Sequence, residues 1–296
     1  MFRNVDAPTL LAALHKQDGA PLAMAALAIM LQVALGAERW RRTLAGLTPQ
    51  LPQPSTASVY AAFYVGVFFN CFPLGNVGGD LARIVLARNF DLPFGLKVMS
   101  ILVDHALAVL APVAIAVLTL PVIDHPAAKL AWLAAVGILL ATAIGVYLLH
   151  FIEHVLGRWA HQRLIHLALR LGKELHALAG RREIYIALLF AILSSTCSSL
   201  AAYCIARSLG IEIGPLTIMG VMSIVTLVSV LPISLAGWGV REVSVVTLLG
   251  MLGIEQAPAL LLSIEYGLLA LLISLPGGVL WMFVRSRHGQ VRPKLT

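Results

Sequence analysis

Apolar residues in this chain come in long unbroken runs rather than in stripes or alternations. The first extends from Ala20 to Ala37, and others cover Leu96–Leu120, Leu130–Leu149, Tyr185–Ile205 and about Pro258–Val284. Runs of this length predict helices that cross a bilayer, whose hydrocarbon core takes about 20 apolar helical residues to span. Two further runs are interrupted. Ser55–Leu74 is rich in aromatics (Tyr60, Phe63, Tyr64, Phe68 and Phe69). It breaks at Pro73-Leu74-Gly75-Asn76-Val77-Gly78-Gly79-Asp80, and a short amphipathic piece with Arg83, Arg88 and Asp91 follows. Gly214–Leu235 breaks at Pro232-Ile233-Ser234-Leu235-Ala236-Gly237-Trp238-Gly239-Val240-Arg241-Glu242, and the short piece Val243–Gly253 follows.

One long polar segment, 150–184, separates the two groups of runs. Leu164, Leu167, Leu171, Leu175 and Leu178 recur in it at three and four, which marks one face of a helix. It reads either as a helix lying on the cytoplasmic membrane surface or as a solvated linker helix packed on the bundle. His150 and His154 sit one turn apart with Glu153 between them. They read as interfacial histidines beside basic residues rather than as metal ligands, and no metal or cofactor is expected.

Composition agrees with the pattern. The chain of 296 residues is 59% hydrophobic and 12% charged, against about 45–50% and 25% in soluble domains. A soluble enzyme, a disordered chain and a nucleic-acid module are thereby excluded, and no stretch is left to form a separate soluble domain. No alternating segments of a membrane β-barrel occur. The net charge of +7 fits basic cytoplasmic loops facing anionic lipid. Cys71, Cys197 and Cys204 lie in apolar stretches without CxxC spacing and read as reduced packing thiols. No small-residue cleavage site follows a short apolar core, so no removable signal peptide is expected. The expected fold is all-α: a polytopic helical membrane protein forming one transmembrane domain over 1–296.

The two interrupted segments echo one another: Pro73-x4-Gly78-Gly79-Asp80-x2-Arg83 and Pro232-x4-Gly237-x-Gly239-x-Arg241-Glu242. Each follows an apolar run that is itself preceded by another span. Charge bias sharpens the echo. Basic residues cluster at 39–42, where Trp40 reads as an interfacial anchor, at 150–184, and in the tail with Arg285, Arg287, Arg292 and Lys294. If every apolar run crossed the membrane, 150–184 would lie outside, against the positive-inside rule. If 55–90 and 213–253 instead enter and return as re-entrant hairpins, all three clusters and the 83–97 stretch lie inside. The expectation is an inverted repeat, with halves of about 20–149 and 185–284, in which two broken hairpins meet near the midplane. It places the N-terminus, with Arg3 and Lys16, on the non-cytoplasmic side.

Backbone that leaves a helix at membrane depth survives only where protein covers it or a wet cavity adjoins it. A helix starting after such a break offers free N–H groups to an anion, above all a phosphate. Arg83 and Arg241 follow the two breaks, and arginine grips phosphate oxygens in a bidentate fork. The substrate-binding candidates are therefore Asn76, Gly78, Gly79, Asp80 and Arg83 at the first break and Gly237, Trp238, Gly239, Arg241 and Glu242 at the second. Asp80 and Glu242 hold those arginines, carry a proton, or close a helix end. Asp104, His105 and Glu265 lie within apolar runs, where each is either a proton-coupling group or a bundle-facing hydrogen-bonded group. No nucleophile elbow, HExxH or Walker loop is present, so no catalytic residue is assigned and no enzyme is expected.

At the two motifs the sequence resembles the lysylphosphatidylglycerol synthase transmembrane-region family, also called the flippase-like domain family. The matching residues are Asn70-Cys71-Phe72-Pro73 through Gly78-Gly79-Asp80-Leu81-Ala82-Arg83, and Pro232 through Arg241-Glu242, with a weaker match at Trp40-Arg41-x2-Leu44. Their order and separation and the chain length agree, so the resemblance covers nearly the whole chain. Asp104-His105 departs from it, since the family often has an acid followed by arginine there. The resemblance, without an aminoacyl-transferase domain, implies lipid translocation without lysine transfer.

The leading expectation is a transporter in the bacterial inner membrane that flips an anionic phospholipid or a polyprenyl-linked lipid, with the bilayer and that lipid as its partners. One alternative is an accessory or scaffold protein that binds a lipid or a lipid-biosynthetic partner protein. The other is an integral lipid-modifying enzyme.

Overall fold

The computed structural model of the chain describes residues 17–71, 75–156, 180–230 and 239–288, with side chains left aside at 75–76, 142–156 and 284–288. The described residues are helical and contain no strand. The helices are α1 (Gly19–Leu47), α2 (Thr56–Asn70), α3 (Gly75–Leu86), α4 (Phe94–Thr119), α5 (Pro126–Leu156), α6 (Arg182–Ser208), α7 (Pro215–Val230), α8 (Val240–Met251) and α9 (Gln256–His288). Four segments, Gly19–Leu47, Phe94–Val122, Arg182–Ser208 and Gln256–Phe283, are long and apolar enough to cross a membrane. The protein is an integral membrane protein of the polytopic helical class.

Local chemistry places the ends. Asp18 caps α1 by accepting from the Ala20 amide at 3.1 Å, and Ser55 caps α2 by accepting from Ser58 N–H at 3.2 Å. α2 and α3 form an antiparallel hairpin. A Cβ on Gly79 would fall 2.5 Å from the Gly66 carbonyl oxygen and on top of the Asn70 side chain. Only glycine lets the two helices approach this closely. α9 reaches α2 by the same means: a Cβ on Gly277 would fall 2.5 Å from the Tyr64 carbonyl oxygen.

α1 and α6 form the most extensive helix pair and run antiparallel. Arg42 reaches Glu183 at 3.1 Å near one end. Midway, Ser194 Oγ donates to the Gln32 carbonyl at 3.1 Å. Toward the other end, Ala25 and Ala28 share a buried cluster with Ala201, Ala202 and Ile205. Small residues bring helices into close contact where lipid supplies no hydrophobic drive. The N-terminal half of α1 belongs to a cluster with α6, α7, α8 and α9. Its C-terminal half belongs to another with α2 and α3.

The neighbours follow a rule. When α1 is exchanged with α6, α2 with α7, α3 with α8 and α4 with α9, the packed pairs map onto one another. The pair α2–α9 becomes α7–α4, α1–α2 becomes α6–α7, and α4–α6 becomes α9–α1. α5 stands outside the exchange. Among the described residues each short-helix pair packs on a long helix of the opposite half, α2 on α9 and α7 on α4, rather than on the other pair. The expected meeting of the two hairpins falls at their turns. The segments at their turns, 72–74 and 231–238, lie outside the described residues, as does most of the polar segment, 157–179.

Candidate functional site

The first motif builds a buried ionic centre. Asp104 on α4 is fully buried and accepts from two arginines. Arg39 of α1 approaches Oδ1 with Nε at 2.6 Å and Oδ2 with a terminal nitrogen at 3.2 Å. Arg83 of α3 approaches Oδ2 at 2.8 Å. Three helices are thus pinned at one carboxylate, each ion held by hydrogen bonds as burial of charge requires. The Arg83 guanidinium lies 4.6 Å above the Trp40 ring centroid and 4.4 Å from that of Phe63, in cation–π contact with two adjoining rings whose centroids are 6.5 Å apart. Trp40 is completely buried, and its Nε1 donates to Ser100 Oγ at 3.1 Å.

From Arg83 the charge chain continues outward. Asp80, one turn earlier on α3, lies 3.7 Å from Arg83 and shares a contact of 2.8 Å with His105 Nε2. Both residues are partly exposed. Arg83 Nε is buried and has no partner among the described residues.

Several expectations need correction here. The chain is already helical at Gly75, so Asn76, Gly78, Gly79 and Asp80 belong to α3 rather than to the break before it. The absence of a side chain at Gly79 serves helix contact. The Asn76 side chain lies outside the described residues. Arg39, Arg83 and Lys97 are buried, so they are not the loop charges by which the topology was reasoned. Trp40 is a core residue, not an interfacial anchor. Asp104 anchors two cations.

The second motif is built differently. Gly237 and Trp238 lie outside the described residues. Gly239 precedes α8 with φ +88°, a conformation that glycine adopts without strain. Its N–H donates to Glu242 Oε2 at 2.5 Å, so this amide already has an acceptor. Arg241 is held by Glu242 at 2.7 Å and by Ser263 Oγ at 3.3 Å. It lies 5.9 Å from the Tyr266 ring centroid. The Tyr266 hydroxyl meets Ser198 Oγ at 2.7 Å and Gln32 Oε1 at 3.3 Å. Glu265 is buried and accepts a hydrogen bond from Gln17.

An apolar cavity of about 390 Å³ lies between α1, α2 and α9, lined among others by Val33, Ala61, Phe63, Ile273 and Leu280. Met30 and Leu280 on its wall are exposed, so it opens on the outside of the bundle. Phe63 belongs to both places: its ring touches the Arg83 guanidinium and lines the cavity. Tyr60, another lining residue, donates from its hydroxyl to Glu38 at 3.1 Å. Glu38 also holds Arg41 at 2.5 Å and Arg42 at 2.8 Å. Sequence reasoning missed Arg39, Phe63 and Tyr60 as part of the site. The signal available was Ala37, Trp40, Leu44 and Leu47 at helical spacing, which continues the first helix through the charges.

No match was found among the curated proteins or among the solved structures compared with this chain. A family model does match, over residues 1–277. With nearly the whole chain covered, the protein belongs to the family described as the lysylphosphatidylglycerol synthase TM region.

Proposed function

We propose that this protein moves an anionic lipid across the bacterial inner membrane, as a transporter and not an enzyme. The observation that carries the reading is Phe63, a single ring separating a lateral apolar cavity from a buried guanidinium. An acyl tail needs the first environment and a phosphate the second. The tail enters from the bilayer, and the head group exchanges with Asp80 for Arg83, whose Nε has no acceptor among the described residues. Partner exchange of this kind keeps the arginine's charge compensated throughout.

The inverted repeat supports the same reading. α1 and α6 correspond under the exchange of neighbours and run antiparallel. Corresponding helices that run in opposite senses are what an inverted repeat requires. α2 with 15 residues and α7 with 16 reach only about 22–24 Å, and α3 and α8 with 12 each about 18 Å. All fall short of a core about 30 Å thick. In this reading each pair enters and returns, the first from the cytoplasm and the second from the opposite side.

Reconstitution tests the reading. The purified full chain, in liposomes holding a fluorescent anionic phospholipid, should expose the inner-leaflet pool to dithionite. Ala61→Trp, which fills the cavity without touching a charge, should slow this about tenfold or more, equivalent to ~1.4 kcal/mol, while leaving thermal stability intact. Bleaching no faster than in protein-free liposomes would overturn the proposal.

A further inference from the structure

Three acids are buried among the described residues: Asp104, Glu242 and Glu265. Asp104 has two arginines and Glu242 has one. Glu265 has no ion pair among the described residues. It is 8% exposed. Its Oε1 accepts from the Gln17 side-chain amide, and its Oε2 is buried with no partner among the described residues. An ionised carboxylate in that position lacks compensation, and the cost of burying an unpaired charge is many times that of the neutral acid.

Among the described residues, the charged groups on the helices around Glu265 pair elsewhere. From α8, Arg241 and Glu242 pair with each other and meet α9 at Ser263, Tyr266 and Gly267. Ser263 and Gly267 are four apart and share a helix face, while Glu265, two from each, looks the other way. From α6, the Ser198 hydroxyl is engaged with Tyr266. From α2, Tyr64 donates to the Ile273 carbonyl, farther along α9. Before α1 come Gln17 and then Asp18, which accepts from the Ala20 amide. Gln17, half-buried, is the described side chain that meets Glu265 from the start of α1.

We propose that Glu265 is the proton-binding site of this protein, taking one proton onto Oε2 and releasing it in each cycle, so that lipid movement is linked to a proton gradient. The proton goes from water to the carboxylate and returns to water on the other side of the cycle, with no other bond changed. Glu265 lies nine residues into α9, about 14 Å along its axis, a depth at which an uncompensated acid marks a transport path. The linkage rests on the transport reading, whereas proton binding by Glu265 does not.

Two measurements on the full-length protein separate these. In proteoliposomes with a fluorescent anionic phospholipid, an imposed difference of one pH unit should shift the leaflet distribution by up to about tenfold if one proton is coupled. Glu265→Gln, which keeps the shape and the Gln17 contact, should abolish the shift, and Glu265→Asp should retain it. Transport that ignores the gradient, or a Glu265→Gln variant that still responds, would overturn the linkage and leave the transport reading standing. If no lipid moves at all, the transport reading falls, and infrared difference spectroscopy decides the rest. A protonated-carboxyl band that titrates and is missing in Glu265→Gln supports the site, and an unchanged spectrum in that variant overturns it.

Discussion

Asp104 and Glu265 occupy nearly the same place in the two halves. One is the eleventh residue of α4 and the other the tenth of α9, helices that correspond under the exchange of neighbours. Their surroundings are opposite. Asp104 is locked between Arg39 and Arg83, while among the described residues Glu265 has an amide on one oxygen and no partner on the other. Two helices with corresponding neighbours thus carry an acid at a similar position along their length and compensate it in opposite ways. The first half spends its acid on holding two cations in place; the second keeps its cation, Arg241, satisfied by the neighbouring Glu242 and leaves the deeper acid open.

The largest test of that contrast is stability. Asp104→Ala strands two buried guanidiniums and should cost about 3–5 kcal/mol in denaturant unfolding in detergent. Glu265→Gln keeps one hydrogen bond and removes no ion pair, so its effect should stay within ~1 kcal/mol. Equal losses would break the comparison. Next in size are the hairpins. Gly79→Ala drives a methyl group into Gly66 and Asn70 and should destabilise by about 1–3 kcal/mol. Gly250→Ala in α8 has open space around it and should stabilise by about 0.4–1 kcal/mol. A further test sharpens the picture of the first half alone. Trp40→Phe removes the donor to Ser100 while retaining a ring under Arg83, and should cost ~1 kcal/mol in the same assay. A loss no greater than that of a surface substitution would mean that the Ser100 bond contributes nothing.

Much of the architecture was legible in the runs of apolar residues, because bilayer thickness dictates their length. Four of the expected spans coincide with the long helices α1, α4, α6 and α9. The first ended too early on paper. Hydropathy stops at Ala37, but α1 continues to Leu47 because its charges are met within the helix, Glu38 by Arg41 and Arg42, and from elsewhere, Arg39 by Asp104, Arg42 by Glu183 and Glu38 by Tyr60. Those partners lie 65, 141 and 22 residues away, and no local pattern points to them. α3 also begins earlier than its glycines suggest. Glycine weakens an isolated helix, but here the bare backbone of Gly79 makes the contact with α2 that holds the helix. The arginines after the two motifs were visible as candidates. That one is gripped by a distant acid and the other by its own neighbour was not.

The long first helix has a mechanical consequence. Its 29 residues make a rod about 44 Å long, and Gln32 lies near its middle, tied to Ser194 through its carbonyl and to Tyr266 through its side chain. Arg39 lies on one side of that fulcrum with its grip on Asp104; Gln17, just before the other end, touches Glu265. A rigid lever tilting about its centre carries its two arms in opposite directions, so whatever draws Arg39 away from one acid swings Gln17 the other way beside the second.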